Sequence, residues 1–211
     1  MHKTIKTLIA IDVGISAGIG LTAPLFALFV TEQIAGASVV EVGIATALFW
    51  LVKSILQIPV ATYTDRQGVY KKFLAGGTLL MALVLFGYAF ATNVTQIYAL
   101  QVLDGLATAL VTPAWMALFS RNLSKGKEGF EWSVYQTTSG IATAATAAIG
   151  GALVATTGFR NAYLLVSAVV LAGAAAYAAT KPIKQPALHY YSELKKQLEE
   201  RRLSFNKSKR R

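Results

Sequence analysis

The chain has 211 residues, of which 55% are hydrophobic and only 14% are charged, whereas soluble domains contain about 25% charged residues. It has no cysteine and only two histidines, His2 and His189. A disulfide framework, a thiolate metal site and a thiol nucleophile are therefore excluded, and a histidine metal site or a Ser-His-Asp triad is disfavoured. This composition indicates a protein that resides in lipid.

Hydropathy, charges and turn-forming residues divide the chain into six apolar segments, several of which reach the ~20 residues needed to cross a bilayer. Each segment is predicted to be an α-helix, because a backbone in lipid must satisfy its N–H and C=O groups internally. The predicted spans are residues 5–30, 40–62, 73–92, 95–120, 132–156 and 162–180. The sequence therefore predicts an all-α membrane protein with six transmembrane helices.

The first two predicted helices each carry one charge inside the apolar run. Asp12 lies about 10 Å and Lys53 about 13 Å from the inner face, at 1.5 Å of rise per residue. Because they lie near the same level, we predict that they form a buried gating pair. Gln57 extends the polar stripe of Lys53 along the second helix. Charges are costly in hydrocarbon, so these residues are candidates for a substrate or ion pathway.

A short polar segment follows the second predicted span and reads Asp65-Arg66-Gln67-Gly68-Val69-Tyr70-Lys71-Lys72. Gly68 permits a tight turn, and the Asp65 carboxylate can cap or pair at a helix end. The basic residues Arg66, Lys71 and Lys72 suit a helix C-terminus and lipid headgroups. A basic inside loop with a glycine turn is the less favoured interpretation of this segment.

The fourth predicted helix carries the third intramembrane charge, Asp104, about 13 Å from the outer face. Gln101, Asp104 and Thr108 share one helical face, and Thr112 continues it. We predict that this face lines the pathway, with Asp104 as the ion or substrate site. The alternative for the threonines is hydrogen bonding between helices, typically worth up to ~2 kcal/mol per contact, and for them this alternative is favoured.

The fifth predicted helix is built mostly from small residues between Gly140 and Ala155. Such surfaces let helices approach closely, so this helix is the candidate surface for association with a second bundle. After the sixth helix, Pro182 and Pro186 stop the helical pattern. We therefore divide the chain into a transmembrane domain, residues 1–180, and a basic cytoplasmic tail, residues 181–211. The tail is interpreted as lying near anionic lipid, with docking to a partner as the alternative.

The basic residues fix a predicted orientation. If the N-terminus is cytoplasmic, 18 of the 20 Lys and Arg residues lie on the inside, only Arg160 lies outside, and Lys53 is within a span. The positive-inside rule then places both termini in the cytoplasm, and we expect the plasma (inner) membrane. This distribution accounts for the net charge of +10, so no nucleic-acid partner is predicted. Membrane lipids are predicted as partners instead.

An internal repeat relates the first and fourth helices at an offset of 90 residues. Thr22, Ala27, Leu28 and Phe29 recur as Thr112, Ala117, Leu118 and Phe119. Three helices per repeat means that the second copy enters the membrane from the opposite side. The prediction is therefore two inverted three-helix repeats, an architecture common in secondary transporters.

The segment from Asp65 to Lys72 resembles a signature of the major facilitator superfamily. That signature consists of a glycine, three further residues, Asp-Arg-x-Gly and then basic residues. Ala61 replaces the expected glycine, and the basic pair comes one or two residues late. The resemblance implies a cytoplasmic latch whose contacts differ between two access states. Its residues are Asp65, Arg66, Gly68, Lys71 and Lys72.

Two further segments are similar to signatures of the same family. Gln101 to Gly105 resembles Arg-x-x-Gln-Gly, with Gln101 in place of the arginine associated with proton coupling and Asp104 in place of the glutamine. Residues 150–160 resemble a Gly-Gly and Gly-Trp-Arg segment that lacks its preceding Gly-Pro. The resemblance covers residues 1–180 and implies one six-helix half of a twelve-helix fold, so a complete pathway needs a second half.

The leading hypothesis is a secondary active transporter of an unidentified small solute, working by alternating access as a homodimer or with a partner half. Protons are a candidate coupling ion, and no cofactor is expected. The alternative is a non-transporting membrane scaffold that presents the basic tail. An enzyme is not predicted, because no nucleophile-base pair, metal cluster or phosphate loop is visible. The fold does not specify the cargo.

Overall fold

The computed structural model describes residues 3–22 and 25–180, and this part of the chain is helical, with no strand. Its six helices are α1 Lys3–Thr22, α2 Phe26–Gln33, α3 Val39–Gln67, α4 Tyr70–Tyr88, α5 Val94–Arg121 and α6 Glu128–Ala179. All except the short α2 are long and apolar enough to cross a membrane, which makes five such helices in the described residues. The predicted all-α membrane protein is thus confirmed at this level, and the predicted tail, residues 181–211, lies outside the described residues.

Helix α6 has 52 residues and contains both the fifth and the sixth predicted spans. A straight helix of this length would extend about 78 Å, more than twice the ~30 Å of the hydrocarbon core. It is interrupted at Gly158, whose φ of 79° and ψ of 163° are not helical and belong to a region that glycine alone adopts readily. We call residues 128–157 the first arm of α6 and residues 159–179 its second arm.

The structure differs from the predicted boundaries at two places. The first predicted span is divided, since α1 ends at Thr22 and α2 begins at Phe26; the sequence has Pro24 between them, and proline has no N–H for a helical hydrogen bond. The segment predicted as a loop from Asp65 is instead the last turn of α3, and helix α4 begins at Tyr70. Hydropathy marks where an apolar run ends, whereas a helix can continue through polar residues.

The ends of the long helices follow local side-chain and backbone rules. Ser38 caps α3 and forms a reciprocal capping box with Glu41, while the Asn93 side chain accepts a hydrogen bond from the Gln96 N–H at the start of α5, as N-cap residues do. Gly68 ends α3 in the left-handed region with φ 66°, and its N–H donates to the Thr64 carbonyl at 2.8 Å. The predicted glycine turn is therefore confirmed at Gly68.

The long helices pack in the order α3, α5, α4, α6 and α1, each against the next. Between α4 and α6 the Ser167 hydroxyl donates a hydrogen bond to the Ala82 carbonyl at 2.9 Å. Helices α1 and α3 stand at the two ends of this order. Residues on these two helices therefore have different neighbours.

Close contact between helix backbones occurs where one helix offers a glycine. A Cβ placed on Gly105 of α5 would lie 2.7 Å from the Phe49 carbonyl oxygen of α3, and one on Gly77 of α4 would lie 2.9 Å from Leu110 Cβ of α5. A Cβ on Gly150 of α6 would collide with the Leu21 backbone of α1. Small residues are what allow helices in lipid to approach this closely.

The adjacent pair Gly150 and Gly151 gives a direct test of this packing. We expect Gly150→Ala to lower the free energy of unfolding by about 1–3 kcal/mol, the usual cost of overpacking, because the obstacle is rigid backbone. Gly151→Ala is the matched control, since a Cβ there meets nothing within 4 Å. Titration of both variants with denaturing detergent in mixed micelles measures the difference, and equal stability of the two would contradict the packing.

Candidate functional site

Asp104 lies on α5 where that helix meets α3. The close approach of Gly105 to Phe49, Val52 and the Lys53 backbone brings the two helices together next to this carboxylate. Asp104 is half-buried, and among the described residues it accepts no hydrogen bond and forms no ion pair. Lys53 is the cation whose charge acts on it. The structure therefore associates Lys53 with Asp104.

Lys53 is also held by aromatic rings on its own helix. Its Nζ lies 4.4 Å from the centroid of the Trp50 ring and 5.9 Å from that of Phe49, distances at which a cation is attracted to the ring face. Gln57, one turn further along α3, is half-buried like Lys53. The two predicted pathway residues of α3 thus share one helical face.

The remaining predicted residues of α5 avoid the exposed side of the helix. Gln101 is buried with 7% of its surface exposed, and Thr108 is half-buried, whereas Val102 and Leu103 are exposed. This arrangement keeps the polar stripe of α5 away from the surface that would meet lipid.

Asp12 of α1 has partners that the sequence reasoning missed. Its carboxylate accepts hydrogen bonds from the Tyr135 hydroxyl at 2.8 Å and the Tyr177 hydroxyl at 3.3 Å, one from each arm of α6. The predicted pair of Asp12 with Lys53 is not formed among the described residues, because α1 packs on α6 while α3 packs on α5. Tyrosines inside apolar spans were the available signal, since a buried hydroxyl needs a hydrogen-bond partner.

Two further tyrosines lie within range of the charge of Asp104. They are Tyr88 at the end of α4 and Tyr163 on the second arm of α6. Their ring centroids are 5.3 Å apart. The Tyr88 hydroxyl is buried without a hydrogen-bond partner. Each intramembrane aspartate therefore has a pair of tyrosines nearby, but only Asp12 is hydrogen-bonded to its pair.

The predicted latch residues lie where four helix ends meet. Asp65 at the end of α3 accepts a hydrogen bond from the Tyr70 hydroxyl at 2.7 Å and forms an ion pair with Arg121 of α5 at 3.1 Å. Lys71 of α4 donates a hydrogen bond to the Thr180 carbonyl at the end of α6. Arg66 and Lys72 are exposed. The sequence predicted the segment but not Arg121, which is 56 residues away along the chain.

Within residues 3–22 and 25–180 there is no group of three or more acidic, histidine or cysteine side chains that could hold a metal ion. The charged and polar groups described above are instead distributed over α1, α3, α4, α5 and α6, all of which are long enough to cross a membrane. These features define an integral membrane protein with ionisable groups inside its helical bundle.

Comparison with known proteins gives the family. The chain belongs to the Major Facilitator Superfamily, whose sequence model matches residues 10–208. Over 96 residues it is 31% identical to an uncharacterized MFS-type transporter of Methanocaldococcus jannaschii. That alignment spans 46% of this chain and 24% of the relative. The predicted family is confirmed.

The ion pair at the latch can be tested by a double-mutant cycle. Asp65 and Arg121 side chains are 55% and 27% exposed, so we expect Asp65→Asn and Arg121→Gln to couple by about 0.5–1 kcal/mol at low salt and less at high salt. The free energy of unfolding in micelles is the readout. A control cycle of Asp65→Asn with Lys72→Gln should show no coupling, and equal coupling in both cycles would contradict the pair.

Proposed function

We propose that the chain acts as a secondary active transporter of a small solute across the plasma membrane, with alternating access from the two sides and both termini in the cytoplasm. The observation that carries the proposal is a pair of aspartates inside the bundle, on two helices that start at opposite ends of it. Ionisable residues inside membrane spans are costly and usually mark substrate or ion pathways. Asp12, Lys53 and Asp104 are three such residues in one bundle.

The depths of the two aspartates follow from helix geometry. Asp12 lies about 14 Å along α1 from its start, and Asp104 about 15 Å along α5 from its start. These starts are at opposite ends of the bundle: Asp12 contacts Tyr177 near the end of α6, the same end at which Arg121 closes α5. We infer that Asp12 is reached from one side of the membrane and Asp104 from the other.

Helix packing supports the two inverted repeats. In the two repeats, α1 would correspond to α5, α3 to the first arm of α6, and α4 to the second arm. Helix α1 packs on α6, which contains both arms, and α5 packs on α3 and α4. The first helix of each repeat therefore packs on the other two helices of the opposite repeat. Gly20 of α1 meets Thr143 and Thr146 of the first arm much as Gly105 of α5 meets α3. We propose that the chain bends at Gly158 and crosses the membrane six times.

The aspartate sites fit the same correspondence. Asp104 follows Asp12 by 92 residues, and Tyr177 follows Tyr88 by 89 residues, both close to the offset of 90. Asp12 is bonded to Tyr177, while Asp104 and the Tyr88 hydroxyl are unbonded. We infer that the two equivalent sites are in opposite states and exchange these states during transport.

A pathway open alternately to both sides requires a second bundle facing this one. Helix α3 and the first arm of α6 carry exposed apolar side chains that such a bundle would cover, among them Trp50, Leu51, Ile55, Ile141 and Ile149. We propose that it is supplied by a second copy of the chain or by a partner half. Protons are the proposed coupling ion, through Asp104.

One observation favours a second candidate function, a non-transporting membrane scaffold with a basic tail at residues 181–211. Gln101 occupies the position that resembles the family's coupling arginine, and it is buried and uncharged. The scaffold does not account for Asp104, an ionisable group placed at a cost inside the bundle. Transport is therefore the function that the described residues support best.

Removing the charge of Asp104 tests the coupling role. In proteoliposomes containing a pH-sensitive dye, we expect the wild-type chain to move protons when sugars, amino acids, organic anions or organic cations are added. Asp104→Asn should reduce this flux by about tenfold or more, the effect of losing one essential interaction of about 1.4 kcal/mol. Glu32→Gln, an exposed carboxylate on α2, is the matched control. Full flux by Asp104→Asn would remove Asp104 from this role.

The second bundle is tested by the number of chains in one particle. We expect native mass measurement of the chain in lipid nanodiscs to give two copies per particle. When the protein is diluted into excess lipid, the fraction of paired chains and the transport flux should fall together. Trp50→Arg on the exposed face of α3 should reduce both. Full flux from particles holding one chain would contradict the proposed pair.

A further inference from the structure

An open groove lies on the surface of the bundle where the end of α4 meets the start of α5. Its volume is about 290 Å³. A Cβ on Gly87 would lie 2.5 Å from Leu100 Cδ2, so the absence of a side chain at residue 87 lets the two helices approach closely here. The residues that line the groove are Gly87, Phe90, Ala91, Gln96, Ala99 and Leu100.

The groove opens on apolar surface. On α4, Leu83 is exposed and lies one turn before Gly87 on the same helical face. On α5, Ala99 and Leu103 are exposed and lie one turn apart. These side chains carry no charge and suit contact with acyl chains, so an acyl chain in the groove can continue along the bundle.

A cation stands at the rim of this groove. Arg160 is at the start of the second arm of α6, and its Cζ lies 4.8 Å from the centroid of the Phe90 ring. That ring lines the groove and holds the positive charge near it. Arg160 is exposed, and within residues 3–22 and 25–180 its guanidinium forms no hydrogen bond and no ion pair. Its N–H donors are therefore available to a ligand.

The groove and Arg160 lie at the bundle end opposite the latch. Lys71 at the start of α4 contacts Thr180 just after the end of α6, so the end of α4 and the bend at Gly158 lie at the other end. Of the 20 Lys and Arg residues, only Arg160 is predicted on that side. The tendency of basic residues to lie inside therefore does not account for Arg160, whereas a local anionic partner does.

We propose that the groove binds an anionic phospholipid of the leaflet at this end, which is the outer leaflet in the proposed orientation. The lipid phosphate accepts hydrogen bonds from the Arg160 guanidinium, whose planar fork suits phosphate oxygens. One acyl chain lies in the groove between Phe90 and Ala99 and continues past Leu83. This lipid site does not rest on the proposed transport function.

The chemistry of the groove favours this occupant over three others. A soluble anion would pair with Arg160 but would leave the apolar walls of the groove uncovered. A zwitterionic phospholipid brings a cation that Arg160 repels. A helix of another chain would take the guanidinium out of water, which is costly without a paired charge. A lipid with a net negative charge satisfies both the guanidinium and the apolar walls.

Local quenching of a fluorophore measures which lipid occupies the groove. The chain has no cysteine, so Leu83→Cys carries a single bimane label beside the groove. Brominated acyl chains quench the label and are supplied in vesicles on either anionic phosphatidylglycerol or zwitterionic phosphatidylcholine. We expect about a fivefold preference for phosphatidylglycerol, the ratio that ~1 kcal/mol per basic residue near anionic lipid gives. Equal quenching by the two lipids overturns the proposal.

A label at Ile44→Cys is the matched control position. Ile44 is exposed on α3. Ile44 and Leu83 each lie about 8 Å from a helix end at the same end of the bundle, Val39 of α3 and Tyr88 of α4. We expect no lipid preference at Ile44. The same preference at both labels would show a general enrichment of anionic lipid and would overturn the site.

Two variants test the parts of the site in the chain labelled at position 83. Arg160→Gln removes the charge and Ala99→Phe fills the groove, so each should reduce the preference to about one. Lys125→Gln, between α5 and α6 at the latch end, and Ala175→Phe, on the second arm of α6, are the matched controls and should retain it. All four native side chains are exposed, so the fold is retained. A preference that survives Arg160→Gln or Ala99→Phe overturns the assignment.

Discussion

Close contact between helix backbones at small residues is the constraint on which the rest of the structure depends. In lipid, an apolar side chain gains little by exchanging a lipid neighbour for a helix neighbour, so association relies on tight packing and a few polar contacts. The glycine Gly150 sets α1 against α6, and Gly105 sets α5 against α3. The first contact brings Asp12 to Tyr135 and Tyr177, and the second brings Asp104 to Lys53.

This dependence explains what could be predicted from the sequence. The apolar runs, the all-α class, the family and the turn at Gly68 follow from local composition and short motifs. The partners of Asp12 do not, because they depend on which helices become neighbours. Asp12 and Lys53 lie at similar depths, and depth alone suggested a pair, but α6 stands next to α1 and α5 next to α3.

Helix ends were predicted less well for a related reason. Asp65 and Arg66 continue α3 beyond its apolar run, where the ion pair to Arg121 and the bond from Tyr70 stabilise the polar turn. Hydropathy contains no information on such contacts. The bend at Gly158 could be placed only approximately, since a glycine between two apolar runs fits either a loop or a bend.

The contacts of the bundle differ in strength according to where they lie. The ion pair of Asp65 with Arg121 is partly exposed, so water and salt weaken it and it can be broken at little cost. The hydrogen bonds of Asp12 lie among buried rings, and a ligand that replaced them would need groups of matching chemistry. The ion pair at the bundle end is therefore easier to break than the hydrogen bonds of Asp12.

Accessibility of single cysteines tests alternating access most directly, since the chain has no cysteine of its own. Thr108→Cys is placed on the polar face of α5, and Leu83→Cys is placed on α4, where 57% of the native side chain is exposed and would meet lipid. A charged, membrane-impermeant thiol reagent is added to one side of oriented proteoliposomes at a time. We predict labelling of Thr108→Cys from both sides, in a ratio that solute changes, and none of Leu83→Cys. Labelling of Thr108→Cys from one side only, under every condition, would contradict the account.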